Sequence, residues 1–412
     1  MNLRREKQFD RSLAKCVGEE KRKYKEIIMK KHGLITKFAA LGLAAALGLA
    51  GCGGQSGNGN QGTAAAEVTI TAEDEALAKE LLDRNVTAND VITVGVIESA
   101  IAQLKEKYSF EEQAELKIGS GSWVYLADKN GWFNELLGDN HTTVKIVEGA
   151  VGNEVQLMER DELHLMNRML YPYLLYRSQG GDITAVELSE DPAPGIVAIL
   201  VAKDSPYQTL ADLQGGTIAS WKAGCQYVAL IEQTNDLGWT EGTDWTYANV
   251  SNDDIKTALQ AGEVDAISVH PFANINNEII SGNFREIANA KENGVYTNYG
   301  GASVSFAPTE FANTHVNLIK AVLKLRQLVN AYIIQNPEET AAVLETITRE
   351  PAENTIWYNN RSAETFYSAS APLSQLIEDT DNYQNWLVEN TEEFTAEGRV
   401  DKETFFNPNF FE

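Results

Sequence analysis

The chain has 412 residues, 43% of them hydrophobic and 23% charged, enough for more than one globular domain with its own core. Its 34 Lys and Arg stand against 59 Asp and Glu, a formal charge of −25, which excludes a protein that holds nucleic acid through the phosphates. Three cysteines, Cys16, Cys52 and Cys225, exclude a disulfide framework and a four-cysteine metal site.

From Met29, Lys30, Lys31 and Lys37 precede an apolar run over residues 38–49, a positive n-region followed by an h-region. As a helix this run rises about 18 Å, short of the roughly 30 Å hydrocarbon layer, so a secretory signal over residues 1–51 is expected rather than a spanning anchor. It ends in Leu49-Ala50-Gly51-Cys52, which resembles the bacterial lipobox. That resemblance implies cleavage before Cys52 and lipid attachment to it. The basic extension over residues 1–28 makes Met29 the expected start of translation. Residues 1–51 hold 12 of the basic and 5 of the acidic side chains, so the remainder is more acidic still, at −32. Residues 52–65 read as the lipidated cysteine and a flexible Gly, Asn and Gln tether. Gly57, Gly59 and Gly62 match G-x-G-x-x-G with no strand before them and no helix after, so a dinucleotide site is set aside.

Residues 66–112 are acidic and helical in pattern, with Leu77, Leu81 and Leu82 on one face and Ile97, Ile101 and Leu104 on another. They are expected to form a small added subdomain. From Glu115 short β-rich runs alternate with helical segments, the pattern of an α/β fold with parallel strands. Strands are predicted at 116–120, 144–148, 163–166, 183–188, 196–202, 217–220, 245–249, 264–269, 284–287 and 302–306. Helices are predicted to begin near Trp123, Gly152, Pro172, Leu210, Cys225, Asn252 and Phe272. After that the chain reads as helical throughout, over 315–335, 337–347 and a tail to Phe411. Ten strands divide into two sheets.

Five segments carry a family resemblance. They are Lys117-Ile-Gly-Ser-Gly-Ser-Trp-Val-Tyr125, the stretch 172–183 with Tyr-Arg-Ser-Gln-Gly-Gly-Asp182, and 199–218 with Ala-Lys-Asp-Ser-Pro206 and Leu-Gln-Gly-Gly-Thr217. The others are Gln260-Ala-Gly-Glu-Val-Asp-Ala-Ile-Ser-Val-His-Pro-Phe272 and 319–342 with Asn-Pro-Glu-Glu339. In this order, over about residues 115–360, they resemble the taurine, aliphatic-sulfonate and nitrate branch of ABC-transporter substrate-binding proteins. The resemblance implies a two-lobed α/β periplasmic-binding-protein fold of type II, with the ligand in the interlobe cleft. Lobe 1 would comprise 113–203 and 298–412, and lobe 2 would comprise 204–297.

Parallel α/β sheets bind ligands at the carboxyl ends of strands, where helix N-termini offer N–H groups to anions. The turns at 120–123, 166–171, 222–226 and 270–272 are therefore the candidate site. Ser120, Gly121 and Ser122 can present donors there, or form a plain helix cap. Trp123 could wall the pocket or pack over the sheet. Asn167, Arg168 and Tyr171 stand where the family tends toward small residues, and Arg168 could fork onto an anion or pair with a surface carboxylate. Arg168 precedes Pro172, read as the first residue of a helix, so its side chain is expected at the mouth of the cleft. Lys222 is a loop charge or a ligand contact, beside Gly224. Cys225 reads as a small apolar filler rather than a nucleophile. His164 reads as a structural strand histidine. His270 precedes Pro271 and Phe272 where many relatives carry Asp, a departure that favours an acceptor or an anion over an ammonium group.

No G-x-S-x-G elbow, Walker loop, H-E-x-x-H or paired Cys-x-x-Cys is present, so no catalytic residue, metal or cofactor is expected. The function implied is a lipid-anchored, extracytoplasmic, monomeric receptor that hands a small organic anion to an ABC permease and its ATPase. Trp123, Tyr171, Tyr173, Trp221, Tyr227 and Tyr299 motivate a second reading, a carrier for an aromatic or pyrimidine vitamin precursor. An extracytoplasmic enzyme on the same fold is a third.

Overall fold

The computed structural model describes residues 69–190, 197–270, 273–289, 295–361 and 366–411. The signal, Cys52 and the tether lie outside these residues, as does Phe272. Helix α1 (Ala72–Leu81) opens with a reciprocal cap. The Thr71 hydroxyl accepts the Asp74 N–H, and the Asp74 carboxylate accepts the Thr71 N–H. The same carboxylate accepts the hydroxyl of Thr93, the cap of α2 (Val94–Lys107), at 2.6 Å, so one Asp holds both helix starts. Their apolar stripes, with Leu81, Ile97, Ile101 and Leu104, are buried in one core with Leu116 and Ile118. The expected added subdomain is therefore part of the first lobe, because those stripes are covered by its sheet and long helix.

The first lobe continues with β1 (Glu115–Gly119), α3 (Ser122–Lys129), α4 (Trp132–Leu137), β2 (Thr143–Val147), α5 (Glu154–Glu159), β3 (Met166–Met169), α6 (Leu170–Ser178) and β4 (Ile183–Leu188). The second holds β5 (Ala198–Ala202), β6 (Thr217–Ser220), α7 (Cys225–Asp236), β7 (Thr246–Asn249), α8 (Ile255–Ala261), β8 (Ala266–Val269), α9 (Ala273–Ile280) and β9 (Phe284–Asn289). Helix α10 (Val295–Gly300) and β10 (Ser303–Pro308) bring the chain back. β1 and β2 run parallel, a bridge from Ile118 to Leu165 continues to the β3 segment, and β10 lies antiparallel between β3 and β4. The second sheet has the order β7-β6-β8-β5-β9, parallel at β6 and antiparallel on both sides of β5.

Every predicted strand forms, with ends within three residues of expectation. Two boundaries change the reading. Residues 163–165 pair toward β1, while pairing with β10 carries the strand on to Met169, so Arg168 lies inside β3 opposite Val304. Pro172 is accordingly the third residue of α6. β5 belongs to the second sheet, which puts the crossing between Leu188 and Ala198, ahead of the boundary expected at residue 203.

The C-terminal region does not stay on lobe 1 as expected. After α11 (Thr309–Thr314), the helix α12 (Val316–Gln335) is buried along most of its length, with Leu318, Val322, Leu325 and Val329 inaccessible. Pro337 opens α13 (Pro337–Thr348), where its missing N–H costs nothing. α14 (Ala352–Arg361) then lies on the second lobe, where Asn354 donates to Asn277 of α9 and Arg361 forks onto Glu286 of β9 at 3.0 and 3.1 Å. The chain next runs beside β4, with a bridge from Ser368 to Ser189, and forms α15 (Leu373–Asn390). Beyond α15 it touches the second lobe again. Asn235 donates to Asn390 and Lys222 pairs with Glu393 at 2.9 Å, while Phe394 is buried against Tyr171 of α6, on the first lobe's side. It then returns to the first lobe, where Phe406 bridges to Ala185. Among the described residues no helix is long and apolar enough to cross a membrane.

Candidate functional site

Between the two sheets lies a cavity of about 690 Å³, lined by the carboxyl-end turns of β1, β3, β6 and β8 together with α9 and α14. A smaller inner pocket of about 150 Å³ adjoins it through Ser120, Gly121, Ser122, Asn167 and Tyr358.

From the first lobe come Ser120, Gly121 and Ser122. Helix α3 starts at Ser122 with Gly121 as its cap residue and no side-chain cap bond. Gly121 is extended, at φ 173°, so its role is not conformational. A Cβ there would find only Trp123 Cδ1, at 4.0 Å, so the glycine presents bare backbone to the cavity. Trp123 lines the inner pocket and packs edge-on to Phe133, uniting its two readings. Asn167 and Arg168 line the cavity from β3. The Arg168 guanidinium donates to Glu154, a fully buried carboxylate that also accepts the Tyr176 hydroxyl and the Gly152 N–H, each at 2.8 Å. Its charge is thus balanced inside the protein.

From the second lobe, Gly224 caps α7 without a side-chain bond, and Cys225 opens that helix. Burial pushes the Cys225 thiol up to about 12, so it stays protonated where it lines the cavity. Gln226 folds its amide over Gly224, where a Cβ would meet Oε1 at 2.2 Å, and donates to Asn252 at 3.0 Å. His270 is buried, and desolvation, with Arg168 and Arg361 nearby, holds its pKa down to about 3. A neutral imidazole faces the cavity beside the Tyr358 hydroxyl.

Two expected site residues are elsewhere. Tyr171 is fully buried in the core, and its hydroxyl donates to the Lys222 carbonyl at 2.9 Å. Lys222 lies outside the cavity because Glu392 and Glu393 draw its ammonium to the C-terminal tail, over the rings of Tyr227 and Tyr247. Of the aromatic residues considered for a carrier, Trp221 lines the cavity and Trp123 the inner pocket, whereas Tyr173 and Tyr227 belong to the core and Tyr299 contacts α15. His164 is the structural histidine expected, bonded to the Lys117 N–H and to Asp161.

Sequence reasoning misses other lining residues, among them Asn252, Asn276, Thr355, Tyr358 and Asn359. Asn276 and Asn359 are 1% and 2% exposed, yet Oδ1 of the first and Nδ2 of the second have no hydrogen-bond partner among the described residues. Buried amide atoms are almost always satisfied, so two such atoms in one cavity wall mark a place where a polar molecule completes the bonding. No local pattern in the sequence marks these residues, which lie in a stretch read as helical tail.

The pattern of the family described as NMT1/THI5 like matches residues 122–340, more than half of the chain. This chain belongs to that family. An Escherichia coli protein named an aliphatic sulfonates-binding protein is 27% identical over 307 residues, 71% of this chain and 92% of its own length. The alkanesulfonate-binding protein SsuA from Xanthomonas axonopodis, solved bound to MOPS, superposes with a TM-score of 0.60 at 19% identity, covering 73% of this chain and 98% of its own. A desulfurization enzyme, DSZB, shares the fold at a TM-score of 0.50 and 14% identity, over 72% of this chain and 97% of its own. The fold is that of periplasmic binding proteins, with two α/β lobes around one cavity.

Proposed function

We propose that this protein is the extracytoplasmic solute-binding component of an ABC importer, held to the membrane by a lipid on Cys52, and that it captures a small organic anion of the alkanesulfonate kind. The observation that carries this reading is the pair of uncapped helix starts, at Ser122 and Cys225, that reach one cavity from opposite lobes. First-turn N–H groups aimed at a common point suit an oxyanion. Asn276 and Asn359 would bind the rest of the ligand, and Ser120, Ser122, Asn167 and Trp221 would surround it. Arg168 contributes the remaining N–H groups of a guanidinium already bonded to Glu154. The sulfonate-binding relative supports the substrate class, and the lipobox supports the anchor. Delivery to a permease follows from the same relationship, and a receptor of this kind acts as a monomer without catalysis.

A second reading rests on a different observation. The cavity wall carries five amide side chains, Asn167, Gln226, Asn252, Asn276 and Asn359, while Arg168 is neutralised by Glu154 and His270 is uncharged. Such a wall also suits a neutral, hydrogen-bonding ring stacked on Trp221.

Thermal denaturation of the mature chain in the presence of alkanesulfonates, taurine, nitrate, bicarbonate, aromatic carboxylates and pyrimidines separates the readings. A ligand at 100 times its dissociation constant adds about 2.7 kcal/mol. A shift confined to pyrimidines would replace the anion reading, and turnover of any bound compound would replace the receptor reading. For the anchor, Cys52→Ser is expected to abolish fatty-acid incorporation and leave binding intact. Continued labelling of that variant would remove Cys52 as the attachment site.

A further inference from the structure

A second cavity, of about 410 Å³, shares no lining residue with the cleft or its inner pocket. Its walls are the turn after α1, the end of α2, β4, α12 and the C-terminal tail. A buried ion pair links the two systems, Arg326 lining the inner pocket and Glu187 the second cavity.

The charges around this cavity are unevenly matched. Arg84 pairs with Glu80 and Asp90, and Lys107 pairs with Asp83. Glu187 is occupied by Arg326, Gln327, Ser305 and Ser368. Lys320 has no ion pair among the described residues. Lys324 donates only to neutral oxygens, the Arg84 carbonyl at 2.7 Å and Gln327 Oε1 at 3.0 Å. These two ammonium groups lie one turn apart on α12 and line the same cavity. In a chain with 25 surplus acids, neither lysine forms an ion pair among the described residues, although both line an open cavity. Burial, with Lys107 and Arg84 close by, holds Lys324 down to about 8, against the attraction of Glu187 and Asp83. Leu82, Tyr108, Leu323 and Phe410 complete the wall with apolar and aromatic surface.

We infer that this cavity is a second ligand site, for a small molecule with a carboxylate or phosphate head held by Lys320 and Lys324 and a short apolar or aromatic body against Tyr108 and Phe410. The site stands independently of what the cleft binds.

Phenyl phosphate is the probe, with phenol as the neutral control. Calorimetry on the full chain is expected to show binding of phenyl phosphate and none of phenol. Lys320→Gln with Lys324→Gln should weaken it at least tenfold, and the cleft variant Asn276→Leu should leave it within twofold. A measurement on the unaltered protein guards against misfolding of the double variant. Lys324, with its low pKa, should be acylated ahead of the surface lysines near pH 8, and phenyl phosphate should protect it. Binding lost in Asn276→Leu, binding unchanged in the lysine variant, no binding at millimolar probe, or acylation of Lys324 indifferent to the probe would each overturn the assignment.

Discussion

Arg168 and Glu154 show how a buried pair behaves when its members are taken separately. The glutamate is fully enclosed, so removing the arginine strands a charge that nothing else can neutralise. Arg168→Ala is therefore expected to cost about 3 to 5 kcal/mol of stability, and the double variant Arg168→Met with Glu154→Gln to recover most of it. Urea denaturation of the parent and the two variants measures the loss and its recovery. Equal losses in the single and double variants would show that the pair is not the cause. His270 supplies the pH dependence. Its native pKa of about 3 lies below the ordinary 6.5, so between these values the unfolded chain binds a proton that the native one refuses. The stability from the neutral imidazole is complete above pH 6.5 and drains away as pH falls toward 3. His270→Gln should flatten the stability profile between pH 6.5 and 4. An unchanged profile would mean that the ring titrates alike in the native and unfolded chains.

The turn between β1 and α3 was the most legible element of the site. A strand of alternating burial, then Ser-Gly-Ser before an amphipathic helix, gives both the position and the donors through local pattern alone. Gly121→Ala is expected to fold with stability within about 1 kcal/mol of the parent, since the backbone is extended and its Cβ meets nothing closer than 4.0 Å. The same methyl enters the cavity, so ligand affinity should fall by about tenfold, or 1.4 kcal/mol by calorimetry. Helix α14 was the opposite case. Its Asn, Tyr and Thr residues have the composition of a solvated surface, and only its distant packing on α9 turns Thr355, Tyr358 and Asn359 toward the cavity. The misplacement of Tyr171 and Lys222 has a related cause. Both stand in the right turns, but their partners, Phe394 and Glu393, lie far along the chain and outcompete the cleft. The shift of β3 came from pairing with β10, which local pattern does not encode.

At the scale of the whole molecule, the ten strands were readable from alternation of apolar runs with helical segments, but the two sheets expected are three, because the first lobe's strands divide into β1-β2 and β3-β10-β4, joined by the bridge from Ile118 to Leu165. The helical character of the C-terminal region was readable too, whereas its contacts with both lobes were not, because the partners lie far away in the chain. Phe394 packs the tail against Tyr171 and is 2% exposed. Phe394→Ala should lower stability by about 3 to 5 kcal/mol, and Lys222→Ala by no more than about 1 kcal/mol, because Lys222 is partly exposed and one of its partners is largely so. Chemical denaturation of both variants provides the comparison, and a larger effect for Lys222 would reverse this ranking.

The tail also ties one lobe to the other. A length of chain that leaves the first lobe, is fastened to the second through Asn390 on Asn235 and Glu393 on Lys222, and comes home at Phe406 is a drawstring across the cleft. Parting the lobes beyond its slack requires those two polar ties to be undone. A bound molecule is therefore expected to leave more slowly while the cord is fastened than once it is loosed.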